Sequence, residues 1–342
     1  MKLRKSLSMV LAACLCVGMM TGCRGGNTGT TGAGDGGDGT ETYTFQVGHV
    51  VTTDHSYHLG LQKFAELAAE KSDGRISIEI FPSAQLGNEA DLTEGVTMGT
   101  IDMALVNSGN LASFINSYQI FDLPFIFRDN AHAHAVLDGE IGQDALASLE
   151  SINIKGFANW ENGFFCTWNN KTAINSSADF KNLKIRANNN PIHIDAYKEL
   201  GASAITMGWS EVYTAIQNGT VDGVSVSIPS MYSAKIQEVA PYISTSSEFY
   251  VTVILMMNDD LYNTLPEDIQ TALVEAAQET TAYQRELNGE MTDQYIQALK
   301  DEGYEVTSPD LEELKAVCWD AVYEKYAADL GEDKIQTILN DY

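Results

Sequence analysis

Apolar positions along the chain switch repeatedly between a spacing of two and a spacing of three to four, and the switches divide it into elements. "YTFQVGHV" reads as a first strand. "SYHLGLQKFAELAAEKSDG" then places Leu61, Phe64, Ala65 and Ala68 on one helical face and stops at Gly74. "RISIEIF" alternates Ile76, Ile78 and Ile80 with polar neighbours, the pattern of a half-buried strand. A helix in "NEADLTEGVTMGT" and a buried strand in "IDMALVN" follow. This β-α-β-α-β order predicts an α/β domain with crossover connections.

After "DLPFIFRD" the spacing predicts a helix over roughly 130–150, and strands resume at "NIKGFANW". A second set comprises "FFCTWNN", "LKIRA", a helix near 192–200, a short helix at 209–217 and "VDGVSVS". Two α/β units in series suggest two lobes with a cleft between them. The last third is mostly helical. Thr264 and Glu267 match a T-x-x-E capping box, after which Leu265, Ile269, Leu273, Ala276, Tyr283, Leu287, Met291, Tyr295 and Leu299 recur at helical spacing up to Gly303. That helix would be about 50 Å long, enough to lie against both lobes.

The first 42 residues change the picture. Lys2, Arg4 and Lys5 precede an apolar stretch from Leu7 to Met20, the order of a secretory signal. It is shorter than the roughly 20 residues that span a bilayer. The stretch ends Thr21-Gly22-Cys23, which is similar to the lipobox of bacterial lipoproteins, where the cysteine is diacylated and becomes the first residue; the alternative is a cleaved signal with an incidental cysteine. Two acyl chains anchor a protein stably. Residues 23–42 read as a flexible Gly-rich tether, and the G-x-G-x-x-G match at Gly32, Gly34 and Gly37 has neither a strand before it nor a helix after it.

Acids outnumber Lys and Arg by 47 to 20. Loss of residues 1–22 removes Lys2, Arg4 and Lys5 and no acid, which moves the formal charge from −27 to −30. Such a chain is a poor partner for nucleic acid. Cys166 and Cys318 form no C-x-x-C and are read as unpaired core or cleft-wall residues.

The sequence holds no H-E-x-x-H, no G-x-S-x-G and no P-loop, and His132 and His134 sit two apart, on different faces of a helix. No catalytic set, metal site or cofactor is expected. Arg186 is a different case. It follows alternating Leu183 and Ile185, so it projects from the end of a strand, where open α/β sheets bind ligands. Its planar fork matches a carboxylate bidentately. Position alone leaves it balanced between a structural salt bridge and a ligand clamp. Trp209, at a loop-to-helix junction, can stack on a ligand or cap the core.

"FPSAQLGNEADL", "GTIDMALVNSGNL", "DLPFIF", "NLKIRANNN" and "MGWSEVYTAIQNGTVDG", in this order and spacing, resemble the substrate-binding receptors of tripartite ATP-independent periplasmic (TRAP) transporters over about residues 43–340. The resemblance implies an α/β, two-lobe periplasmic-binding-protein-like fold, with a cleft between the lobes and a long helix bridging both. Lobe 1 would comprise 43–161 plus about 252–291, and lobe 2 would comprise 162–251 plus about 292–342. It further implies closure on a ligand and delivery to two integral membrane subunits driven by an ion gradient.

Carried over by position, Arg186 becomes the carboxylate clamp, Trp209 a cleft-lining aromatic, and Asn189 a polar contact. Asn107 and Glu89 fall where sialic-acid-binding members face sugar hydroxyls, and His49 joins the candidate ligand contacts. The chain departs from the pattern at Phe165, where many members carry a second arginine, and at Val226, beside Ser225, where many carry asparagine. Both changes disfavour a second carboxylate or a heavily hydroxylated sugar acid, and favour a monocarboxylate with an apolar or aromatic portion. The implied function is a lipid-anchored extracytoplasmic receptor for a small organic anion. The alternatives are a receptor for an ATP-driven importer and an exported enzyme.

Overall fold

The computed structural model describes residues 41–342. The expected signal, Cys23 and most of the tether lie outside the described residues.

Among the described residues nine strands form one sheet: β1 (Tyr43–Gly48), β2 (Ile76–Phe81), β3 (Met103–Asn107), β4 (Ile154–Asn169), β5 (Lys184–Ala187), β6 (Ser203–Thr206), β7 (Gly223–Val226), β8 (Tyr242–Asn258) and β9 (Glu305–Thr307). Their order is β2-β1-β3-β8-β4-β7-β5-β6, and β9 pairs with β8. β1 is parallel to β2 and β3, while β5 is parallel to β6 and β7, as crossover helices require. β4 and β8, of 16 and 17 residues, are antiparallel to one another and run through both lobes. β3 pairs with residues 253–257 of β8, and β7 with residues 166–169 of β4. Lobe 1 therefore grows from one end of the long pair and lobe 2 from the other.

The crossing between lobes is irregular. The β4–β8 register shifts between Gly156 and Ala158, between Glu161 and Gly163, and between Phe165 and Thr167. Gly163 adopts φ 98, which a side chain would strain. Bulges bend a strand and raise its twist, so the chain turns from one lobe to the other without breaking the sheet.

The helix Glu267–Asp301, 35 residues long, packs on the lobe 1 helix Ser56–Lys71, crosses β4, and reaches the helix Ile228–Ser233 and β9 in lobe 2. Its start is not the expected capping box. Pro266 is the cap residue, Glu267 is the first helical position, and Thr264 Oγ1 instead donates to Leu261 O at the end of a separate helix, Asp259–Thr264. A residue before proline is pushed to extended backbone, and Leu265 at ψ 147 divides the two helices. The apolar stripe also fails mid-helix, where Thr280, Gln284 and Asn288 are buried while Tyr283 is exposed. Gln284 explains this: its Oε1 accepts from Glu161 N at 2.7 Å and its Nε2 donates to Glu161 O at 2.8 Å. The helix thus satisfies backbone that the bulge leaves unpaired.

The helix expected over 130–150 is two, Asn130–Asp138 and Glu140–Ser148, separated at extended Gly139. The last helix, Glu332–Asp341, packs on the helix Leu311–Leu330 of lobe 2 and also touches lobe 1. His132 Nε2 lies 2.8 Å from Ile338 O, and Arg128 donates to Leu339 O and Tyr342 O. Cys166 and Cys318 are buried and unpaired.

Candidate functional site

Arg186 is the third residue of β5, paired with Ile205 on one side and Val224 on the other. Alternation sends Ile185 into the core of lobe 2 and Arg186 to the opposite face, at the carboxyl end of the strand. The side chain is only 3% exposed. Nε and Nη2 donate to Met207 O at 3.1 and 2.9 Å, and Nη1 donates to Asn188 Oδ1 at 3.0 Å. Every acceptor is neutral. Of five N–H groups, one on each terminal nitrogen has no acceptor among the described residues. Burial lowers the arginine to about 10, against the charges of Glu89 and Glu211, so it remains protonated at neutral pH. The Trp209 ring centroid lies 5.9 Å from the guanidinium carbon, within cation–π range.

These groups border a narrow chamber of about 20 Å³ between the lobes, room for about one water and far below the roughly 300–1,000 Å³ typical of small-molecule pockets, so a ligand enters only if the lobes part. Lobe 1 contributes Val50, Val51, Tyr57, Glu89 and Asn107. Asn162 and Phe165 come from the crossing strand β4, and Arg186, Asn188, Trp209, Val226 and Ser230 complete the far wall. A hydrogen-bonded line connects the lobes: Arg186 donates to Asn188, Asn188 Nδ2 donates to Asn107 Oδ1 at 3.1 Å, and Asn107 N donates to Glu89 Oε1 at 2.9 Å. Gly109 makes the approach possible, since a Cβ there would stand 2.7 Å from Asn188 Nδ2. Burial raises the Glu89 carboxyl, countered by the Asn107 N–H, the Arg186 charge and the Asn110 amide.

Six of the nine ligand-contact candidates therefore meet in one chamber: Arg186, Trp209, Asn107, Glu89, Phe165 and Val226. Three do not line it. His49 is buried with Nε2 3.0 Å from His58 Nδ1, and burial pushes it down to about 3, so it is a neutral core residue. Ser225 faces away from the chamber because it alternates with Val226 along β7; its partner across the strands, Thr167, hydrogen-bonds Tyr197 and Glu248. Asn189 is exposed and donates to Ser113 Oγ at 3.0 Å.

Tyr57, Asn162, Asn188 and Ser230 were not singled out by sequence. Asn188 carried a usable signal, because it lies two residues beyond Arg186 and so shares its face. Tyr57 sits in the first turn of its helix, whose apolar spacing does not mark it. Among the described residues no group of three or more His, Cys, Asp or Glu could hold a metal, and His134 instead contacts Glu161 Oε2 at 2.6 Å.

The family model described as "Bacterial extracellular solute-binding protein, family 7" (DctP) matches residues 47–329. The 2,3-diketo-L-gulonate-binding periplasmic protein YiaO of Escherichia coli is 38% identical over 263 residues, 77% of this chain and 80% of that protein. The C4-dicarboxylate-binding periplasmic protein DctP of Rhodobacter capsulatus is 31% identical over 308 residues, 87% of this chain and 90% of that one. A TRAP periplasmic solute-binding protein from Polaromonas sp. JS666, solved bound to D-erythronate, superposes with a TM-score of 0.85 at 32% identity, covering 88% of this chain and 99% of that one. These relatives are transport receptors, not enzymes.

Proposed function

This chain belongs to bacterial extracellular solute-binding protein family 7, the receptors that bind small organic acids for TRAP transporters, and on that premise we propose that its cleft holds a monocarboxylate seated on Arg186. One observation carries the reading. A buried guanidinium borders the chamber, and each of its hydrogen bonds ends on a neutral oxygen. Glu89 and Glu211 act on it only through space; a buried charge without a directly bonded counter-charge costs several kcal/mol, and a ligand carboxylate bound through the two remaining N–H groups offsets that cost.

Trp209 would cover the carboxylate, and Phe165 and Val226 would hold the carbon skeleton. Asn107 and Glu89 would receive neutral polar groups. No second cation borders the chamber among the described residues, which speaks against a second carboxylate. Bound ligand stabilises the closed arrangement only through its greater affinity for it.

Truncating one partner of a buried charge pair costs about 2–5 kcal/mol. Arg186→Ala should therefore weaken binding of an organic acid by about thirtyfold or more in calorimetry, and unchanged affinity would overturn the assignment.

The anchor is a further part of the proposal. Cys23, following Thr21-Gly22, would be diacylated and hold the receptor at the outer face of the cell membrane, beside the transporter's membrane subunits. Cys23→Ala should move the protein from the membrane fraction to the soluble one. A receptor that stays with the membrane after that change lacks this anchor.

A further inference from the structure

Asp122 opens the stretch DLPFIF and is fully buried, although it borders no part of the ligand chamber. It ends the helical turn Gln119–Asp122, which packs on the turn Ser108–Leu111 that follows β3, so the carboxylate is presented from lobe 1. Both of its polar partners come from lobe 2, at the start of the helix Pro191–Glu199 that leads from β5 to β6. Asn190 Nδ2 donates to Oδ2 at 2.6 Å, and His193 Nε2 lies 3.5 Å from Oδ1.

Lobe 2 and the crossing strands hold these two donors in place. Asn190 caps the helix, its Oδ1 accepting from Ile192 N at 2.9 Å and His193 N at 3.3 Å, which leaves Nδ2 for the acid. The His193 ring stacks on Phe249 of β8 with centroids 3.9 Å apart at an interplanar angle of 29°, and packs edge-on against Phe165 at 6.3 Å. Nε2 and Oδ1 have no other partner among the described residues. An unprotonated Nε2 would set its lone pair against the carboxylate, so a ring proton sits there, facing Oδ1.

Closure of the cleft makes or breaks this contact. Phe165 lines the ligand chamber and packs against His193, so the contact lies directly behind the chamber wall. The chamber is too narrow for an organic acid unless the lobes part, and parting them separates Asp122 from both donors. No lysine or arginine pairs with Asp122 among the described residues. Its burial in the closed arrangement therefore depends on the two lobe 2 donors, because a buried acid without hydrogen bonds is strongly disfavoured.

We propose that Asp122, Asn190 and His193 form a ligand-independent latch, which draws the two lobes together and sets how readily the ligand-free receptor closes. The inference goes beyond the carboxylate reading and does not depend on it, since none of the three residues borders the chamber. The latch differs in kind from the exposed contacts of Asn189 with Ser113 and of Ser210 with Asn88. Those groups exchange one neutral partner for water when the cleft opens. Asp122 exchanges two donors in a buried socket, where losing a partner while closed costs the most.

Two rates read this equilibrium without any ligand. Ser210 and Asn88 hydrogen-bond across the exposed cleft mouth at 3.1 Å, so in Asn88→Cys/Ser210→Cys a short bis-methanethiosulfonate links the two positions only in the closed arrangement. In Val226→Cys, a thiol on the chamber wall is alkylated only when the lobes part. Peptide mass spectrometry follows both reactions in the full chain, apart from the native cysteines, and the ratio of linking to alkylation tracks the ratio of closed to open receptor. Asp122→Ala should lower that ratio by about tenfold or more, the effect of losing hydrogen bonds to a charged group. His193→Phe keeps the ring stack and removes the donor, for an expected drop of about three- to tenfold, and His193→Gln, which restores an N–H donor, should recover most of it. An unchanged ratio in Asp122→Ala, or His193→Gln falling as far as His193→Phe, overturns the latch, as does failure of the link to form with Asp122 and His193 intact. If Asp122→Ala does not fold, the two His193 variants decide.

Discussion

Asn188 and Asn107 meet across the cleft, Nδ2 of the first donating to Oδ1 of the second at 3.1 Å, while Asn188 Oδ1 accepts from Arg186 Nη1 at 3.0 Å. One side chain thereby joins the lobes and orients the cation that borders the chamber. Its neutrality matters, because the Arg186 charge is left for another acceptor.

Replacing that amide with an acid tests the point directly. Asn188→Asp would put a carboxylate where Oδ1 now stands, pairing with Arg186 and opposing any carboxylate that approaches it. The expected loss of affinity for organic acids is about thirtyfold or more, with ligand-free thermal stability unchanged or raised. Asn188→Ala removes the contact without the opposing charge and should cost less, about three- to tenfold. Equal affinities for the wild type and Asn188→Asp, measured by calorimetry, would show that Arg186 does not receive the carboxylate.

The neighbouring asparagines reach across as well. Asn189 donates to Ser113 Oγ at 3.0 Å, and Asn190 Nδ2 donates to Asp122 Oδ2 at 2.6 Å. Asn189 does not line that chamber, although it borders an adjoining cavity with Arg186, Glu89 and Trp209, and we propose that its side chain bears on closure rather than on the ligand. One exposed neutral hydrogen bond sits at the low end of about 0.5–1.5 kcal/mol, and Asn189→Ala should weaken every ligand by the same two- to fourfold factor, about, through faster dissociation. Stopped-flow release of two chemically different acids distinguishes the cases: a factor that depends on the ligand would mean direct contact, as the family position implies.

Much of this was open to reading from the chain because burial imposes periodicity. Leu61, Phe64 and Ala68 marked a helix, and Leu183 with Ile185 placed Arg186 at a strand end. What stayed hidden depended on partners far away in sequence. Thr280, Gln284 and Asn288 look like a solvated face, yet Gln284 is buried against Glu161, 123 residues earlier. Asn162 reads as loop-like polarity, but the hydroxyls that orient it lie on the segment after β7. Asn188 shares the face of Arg186 by strand alternation and lines the chamber, whereas Asn189, the family position, borders the adjoining cavity.

The last prediction concerns a buried acid behind the site. Glu248, on β8, accepts from Thr167 Oγ1 at 2.6 Å, and its other carboxylate oxygen has no partner among the described residues. Burial raises it from 4.5 to about 7, more than the hydroxyls of Ser246 and Thr167 lower it. Its neighbours Tyr197, Cys166 and Cys318 are all raised too, the two thiols to about 12, so they stay uncharged through the same range. Between pH 4.5 and 7 the folded protein therefore holds a proton that the unfolded chain has released, and stability must fall as pH rises through that window. A difference of this size corresponds to about 3 kcal/mol. His49 and His55, lowered to about 3, act in the opposite sense: the unfolded chain binds protons that they refuse, so they add stability as pH rises from about 3 towards 6.5. The Glu248 contribution must accordingly be read as a difference. In urea unfolding from pH 4 to 9, Glu248→Gln should gain on the wild type between about pH 4.5 and 7 and hold a constant advantage above it. An advantage that does not change with pH would mean that Glu248 ionises as readily in the folded protein as in the unfolded chain.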